Sequence, residues 1–138
     1  MLKKLASINT IKMSQNIVAD VLNQMMNAIK ARKEVLVTKR YSKLVLSILA
    51  LAKLKGYVKE YSINREEDSL KIVLGKINGC SSISPRYAVN SEELDKYVSR
   101  FLPSKNIGII IVSTSKGLMT HLTAQEKKLG GSLIAYFY

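Results

Sequence analysis

Four consecutive polar side chains, Ser113-Thr114-Ser115-Lys116, have the types and spacing most suggestive of chemistry in this chain. They formally satisfy an S-x-x-K arrangement, in which a lysine activates a serine for acyl transfer. That chemistry needs the serine at a helix start, with Ser-Asp-Asn and Lys-Thr-Gly elements elsewhere. Here the apolar, β-branched run Ile107 to Val112 leads into the serine as a strand would, and neither companion occurs. His121 is the only histidine and Cys80 the only cysteine, so these two alone cannot build a metal site of the usual ligand number. The carboxylates gather at Glu66-Glu67-Asp68 and at Glu92, Glu93 and Asp95, where turn and helix-start logic already accounts for them. Neither a P-loop nor a G-x-G-x-x-G run is present. The chain therefore reads as a non-enzyme with no cofactor, no metal and no small-molecule substrate, and binding is what remains.

The same cluster suits binding. Hydroxyls make short-range hydrogen bonds to phosphate, sugar or base edge, and Lys116 adds charge. Two apolar runs, Ile107–Val112 and the one after Gly130-Gly131, are expected to hold this loop as buried strands, with a short helix between them that Thr120 caps. The glycine pair is expected to stop that helix and to let backbone approach closely, against either the neighbouring strand or RNA. In 138 residues with a formal charge of +12 and 47% hydrophobic residues, a real core coexists with strong self-repulsion. Such an excess serves a polyanion, and nucleic acid is expected ahead of a membrane surface. One cysteine excludes an intrachain disulfide and suits a reducing compartment. The apolar run Leu44–Ala52 is about half of the roughly 20 residues a bilayer demands.

Along the chain, apolar residues at 17, 18, 21, 22, 25, 26 and 29 form a helical stripe that leaves Asn23, Gln24 and Asn27 outside. A strand at Val35-Leu36-Val37 precedes a helix over Ser42–Lys55, capped by Ser42 and ended by Gly56. From Lys30 to Lys59 there are nine basic residues (30, 32, 33, 39, 40, 43, 53, 55 and 59) against Glu34. A solvated surface normally mixes its signs, so this stretch reads as phosphate-facing. Strands at Tyr57–Ile63 and Leu70–Leu74 flank the acidic turn 64–68, which is expected to point away from RNA. GKINGCSS (75–82) is the composition shift between two halves. A short helix, Ser91–Arg100, is expected with Ser91 as its cap. Arg86 beside Tyr87 fits a phosphate-plus-stacking pair and equally a buried tyrosine with a surface arginine.

The string STSKGLMTHLTAQEKKLGGSLIAYFY resembles the C-terminal signature of the universal small-subunit ribosomal protein number eight family. Gly117, Met119, Thr120, Ala124, Gly130 and Gly131 meet its fixed positions in one register. Ala19, Asp20, Leu22, Asn27 and Ala28 match the family's opening pattern, with Asn16-Ile17 in place of Asp-Pro. Ser84-Pro85-Arg86-Tyr87 and Arg100-Phe101-Leu102-Pro103 resemble its middle motifs. With Asn78 and Cys80, the former favours the archaeal and eukaryotic branch, from whose pattern Gly79 and Ser81 depart.

The fold expected is α+β in two small halves. Residues 15–76 form an N-terminal helix-strand-helix-strand-strand unit. Residues 77–138 form a C-terminal RNA-recognition unit, a mixed β-sheet with short helices. Residues 1–14 are a flexible basic N-terminal extension. The resemblance implies a structural constituent of the small ribosomal subunit, a primary rRNA-binding protein that docks on the central domain and supports its assembly. The alternative is an extraribosomal translational regulator or RNA chaperone. Lys30, Arg32, Lys39 and Lys43 would neutralise phosphates, with Ser42 beside Lys43 on the rRNA-facing side. Asn23 and Asn27 would hydrogen-bond RNA, and Arg86, Tyr87, Gly117, Gly130 and Gly131 would lie against it. Ser113, Thr114, Ser115 and Lys116 would enter a shallow groove of RNA. Neighbouring ribosomal proteins are further partners and no membrane is. The location implied is the cytoplasmic ribosome, with an organellar one still open.

Overall fold

The computed structural model describes residues 17–83, 88–104 and 106–138. The N-terminal extension and the Arg86-Tyr87 pair lie outside the described residues. Helix α1 (17–30) buries Val18, Val21, Leu22, Met25 and Ala28, as its apolar stripe requires. It ends at Arg32, whose left-handed φ of 59° lets Lys33 N–H reach the Ala28 carbonyl. Strand β1 (Val35–Thr38) follows, then helix α2 (Lys43–Leu54). Ser42 caps α2 by accepting the Val45 N–H, and Gly56 ends it with φ 86°. Strands β2 (Val58–Asn64) and β3 (Ser69–Leu74) complete an antiparallel sheet in the order β1-β3-β2.

The second half consists of β4 (Cys80–Ser82), β5 (Ala88–Val89), helix α3 (Leu94–Phe101), β6 (Ile109–Thr114), β7 (Gly117–Thr120), helix α4 (His121–Glu126) and β8 (Gly131–Phe137). Its strands run β4-β8-β6-β7, with β5 also paired to β8. Expected as a mixed sheet, it pairs antiparallel throughout; between β6 and β7 the two-residue turn is too short for a parallel crossover. The α+β class and the order of the first half are as expected.

Several local expectations give way. Ser91 does not cap α3; the Asn90 side chain accepts the Glu93 N–H at 3.2 Å, and the helix starts at Leu94 beyond a turn. Only Asp95 of the three acids then lies in its first turn. The glycine pair does not stop α4. Lys128 does so at φ 54°, with Leu129 N–H on the Ala124 carbonyl. Residues 117–120 are strand, and so are parts of the glycine- and serine-rich junction. Short strands with few apolar residues carry too little periodicity to read.

The core has two clusters divided by the β6–β8 pair. One joins α1, α2 and the first sheet to Cys80, Ile109, Ile111, Ala135 and Phe137, and so crosses the composition shift at 75–82. The other gathers Leu94, Val98, Ile110, Val112, Met119, Ala124 and Leu133. His121 is buried where β7 turns into α4, and its Nδ1 accepts the Ile110 N–H at 3.1 Å. Burial holds its pKa below the ordinary 6.5, and Lys55 adds to this against an opposing Asp95.

That burial sets a pH dependence. Below about 6.5 the unfolded chain takes up the histidine proton before the folded one does, so the unfolding free energy falls with pH until the folded pKa is passed. Urea titrations between pH 7.5 and 5 are expected to show this slope, bounded by about 1.4 kcal/mol per pH unit. His121→Asn should flatten it. An unchanged slope in that variant would assign the effect to other groups.

Candidate nucleic-acid interface

The hydroxyl cluster is the tip of the β6–β7 hairpin. Ser113 and Thr114 are in β6, and only Ser115 and Lys116 form the turn, with Gly117 at φ 108° closing it. Thr114 faces Gly117 across the turn, and its Oγ1 accepts the Lys116 N–H at 3.1 Å while donating to the Gly117 carbonyl at 2.8 Å. Thr114 therefore stiffens the tip, whereas Ser115 and Lys116 are exposed and have no side-chain partner among the described residues. On the other side of β6, Ser113 lies opposite Ser132 and Thr114 opposite Gly131. Of the strand or RNA as the neighbour that the glycines approach, the structure shows the strands: a Cβ on Gly131 would run into the Ser113 carbonyl, and one on Gly130 would meet the Val89 carbonyl. The fold thus brings Ser113–Gly117 and Gly130-Gly131 to one end of one sheet.

The basic residues form a second group. Lys30, Arg32, Lys39 and Lys43 are all exposed and unpaired among the described residues. Arg40 is spent on Asp20 at 3.0 Å, and Lys53 lies 6.0 Å over the Tyr61 ring. Lys43 occupies the first residue of α2, where the helix dipole disfavours a cation and favours an anion. Stability alone gives no reason for that placement, whereas a phosphate there would suit both the amides and the ammonium. The acidic turn is not remote from this segment, since Tyr41 Oη donates to Asp68 at 2.8 Å. Asn64 organises that turn by accepting the Glu66 N–H.

Asn23, Asn27 and Lys30 form a third group on the exposed face of α1. They line a groove of about 490 Å³ with Met26, Cys80, Ser81, Tyr136 and Tyr138. Sequence reading missed Ser81, Tyr136, Tyr138 and Ser132. The Tyr-x-Tyr spacing at the end of β8 was a usable signal, since alternate strand residues share a face. The Cys80 thiol is buried, donates to the Leu22 carbonyl at 3.6 Å, and has its pKa pushed up to about 12 by burial, so it is a packing group. Among the described residues no group of three or more His, Cys, Asp or Glu side chains could hold a metal. No helix described is long and apolar enough to cross a membrane.

Comparison with known proteins agrees with the signature. Residues 16–138 match the family model described as Ribosomal protein S8. The chain is 35% identical over 127 residues to the small ribosomal subunit proteins uS8A and uS8B of Schizosaccharomyces pombe, covering 90% of this chain and 98% of each relative. It is 36% identical over 126 residues to small ribosomal subunit protein uS8 of Neurospora crassa, covering 89% and 97%. These fungal relatives lie on the eukaryotic side, the branch suggested by Asn78, Cys80 and the 84–87 motif.

The tip's geometry depends on the missing side chain at 131. Gly131→Ala should destabilise the fold by about 1–3 kcal/mol, the usual cost of forcing atoms into a packed site. Denaturant unfolding measures this, and an unchanged midpoint would mean that β8 can shift freely from β6.

Proposed function

The chain belongs to the ribosomal protein S8 family, and from that premise we propose that it is a structural, non-catalytic constituent of the small ribosomal subunit. In this reading it binds small-subunit rRNA directly, docks on the central domain and helps to order it during assembly, with neighbouring ribosomal proteins around it. The observation that carries the reading is the hairpin tip, a two-residue turn stiffened by Thr114 that presents Ser115 and Lys116 to the outside.

Double-stranded RNA offers a wide, shallow groove lined with 2′-hydroxyls, and a narrow rigid tip bearing hydroxyls and one cation fits it. Ser113 and Ser115 act as donors and acceptors to sugar and base edges, and Gly117 lets backbone lie close at the open side of the turn. Gly130 and Gly131 support the tip by seating β8 against its neighbouring strands, and Thr114 acts through the turn. Lys30, Arg32, Lys39 and Lys43 supply the sequence-independent attraction to phosphate. Ser42 keeps its hydroxyl proton available while capping α2. Asn23 and Asn27 reach RNA from α1, and Arg86 and Tyr87, outside the described residues, act as a phosphate-plus-stacking pair.

Binding of a central-domain rRNA fragment and of a scrambled hairpin, each across a range of salt, tests this division of labour. Lys43→Ala should weaken both RNAs and flatten the log–log salt slope by about one. Ser115→Ala should reduce discrimination between them and leave the slope alone. Identical behaviour of the two variants would refute the assignment of roles.

A further inference from the structure

We propose that the groove between α1 and the end of β8 is a pocket for one unpaired nucleotide of RNA, with its phosphate at Lys30, its base edge on Asn23 and Asn27, and its base against the wall formed by Tyr136 and Tyr138. This rests on the reading of the chain as an RNA-binding protein and adds a contact point distinct from the hairpin tip. Asn23 and Asn27 are one helical turn apart on the same face of α1, both exposed, and neither side chain has a partner among the described residues. Each carboxamide offers two donors and an acceptor, the complement of a base edge. Lys30 continues the same face in the next turn.

The opposite wall is aromatic and rigid. The Tyr136 and Tyr138 rings lie 6.1 Å apart and 5° from parallel, and Phe101 stacks behind Tyr136 at 5.5 Å. Neither tyrosine hydroxyl has a hydrogen-bond partner among the described residues. Gly79 allows Tyr138 its position, because a Cβ there would meet the ring at 2.7 Å. The floor is closed by the Cys80 N–H on the Met26 sulfur at 3.3 Å. A volume of about 490 Å³ falls within the roughly 300–1,000 Å³ of small-ligand sites. Together the lining holds one cation, two amides and stacked rings, which answer a phosphate, a polar edge and a π-face. Paired bases hide their faces in the stack, so only an unpaired one offers edge and face together.

The test uses the full chain with a short single-stranded oligoadenylate, a blunt RNA duplex and the central-domain rRNA fragment. Tyr138→Leu should weaken the oligoadenylate about tenfold, within the range of one base–aromatic stack, and Asn27→Ala should weaken it by several-fold more than it weakens the duplex. Asn27→Ala is an exposed helix change that preserves folding, so it keeps the test decisive if Tyr138→Leu disturbs β8. Oligoadenylate affinity that survives Asn27→Ala, or duplex affinity that falls in parallel with it, would overturn the proposal. If Ser115→Ala still weakens the rRNA fragment in that case, the groove proposal fails alone. A wild-type chain that ignores all three RNAs would bring down the broader reading with it.

Discussion

The antiparallel pairing of β6 with β8 is the constraint on which the rest of the structure depends. Ile109–Val112 and Leu133–Ala135 are buried, and side chains from this pair enter both core clusters. A strand pair buried on both faces has its register strongly specified, because a slip by one residue would exchange the two sets of side chains. That register runs from Ile109 opposite Phe137 to Thr114 opposite Gly131. One end of the pair therefore fixes the hairpin tip, and the other fixes the aromatic wall beside α1. Two surfaces far apart along β8 are positioned by one set of backbone hydrogen bonds.

Around this spine the charge is distributed without regard for the free protein's stability. A net +12 repels itself, and Lys43 opposes the dipole of its own helix. Arg32 and Lys128 instead sit at helix C-termini, where the dipole favours their charge although glycine would fill their left-handed backbone more cheaply. Two of the three left-handed helix ends thus carry a cation. The described core, by contrast, leaves no buried side-chain polar atom without a partner. The charge repulsion is confined to the outside, where a polyanion would relieve it.

Much of this was legible in the sequence wherever periodicity was long or a motif was dense. The α1 stripe, the Ser42 cap and the Gly56 stop could be read because each follows from a local rule. The Lys128 stop could not, because a non-glycine residue in left-handed backbone is set by tertiary context. Strand β7 was hidden since Gly117–Thr120 is too short to show alternation, and its partner β6 supplies the order. Ser91 was read as a cap because it fits the local rule, but a turn organised by Asn90 comes first and α3 starts only at Leu94, with no side-chain cap. At the site, the tip residues were found as a group, but the distinct duty of Thr114 and the pairing of Ser113 with Ser132 are properties of register. Tyr136 and Tyr138 were not singled out in the sequence, and only their placement opposite Asn23 and Asn27 makes them a wall.

The position of β8 also has a kinetic consequence. It follows in sequence every strand that it pairs with, and through Ala135 and Phe137 it completes the cluster that α1 and α2 begin. A chain emerging from its N-terminus during synthesis can form α1, α2 and the first sheet early, since those contacts are local. The apolar flanks of β4 and β6 stay uncovered until the last strand arrives. Vectorial synthesis therefore leaves this protein longest exposed along its most apolar seam, and the final closing event assembles the hairpin tip and the groove together.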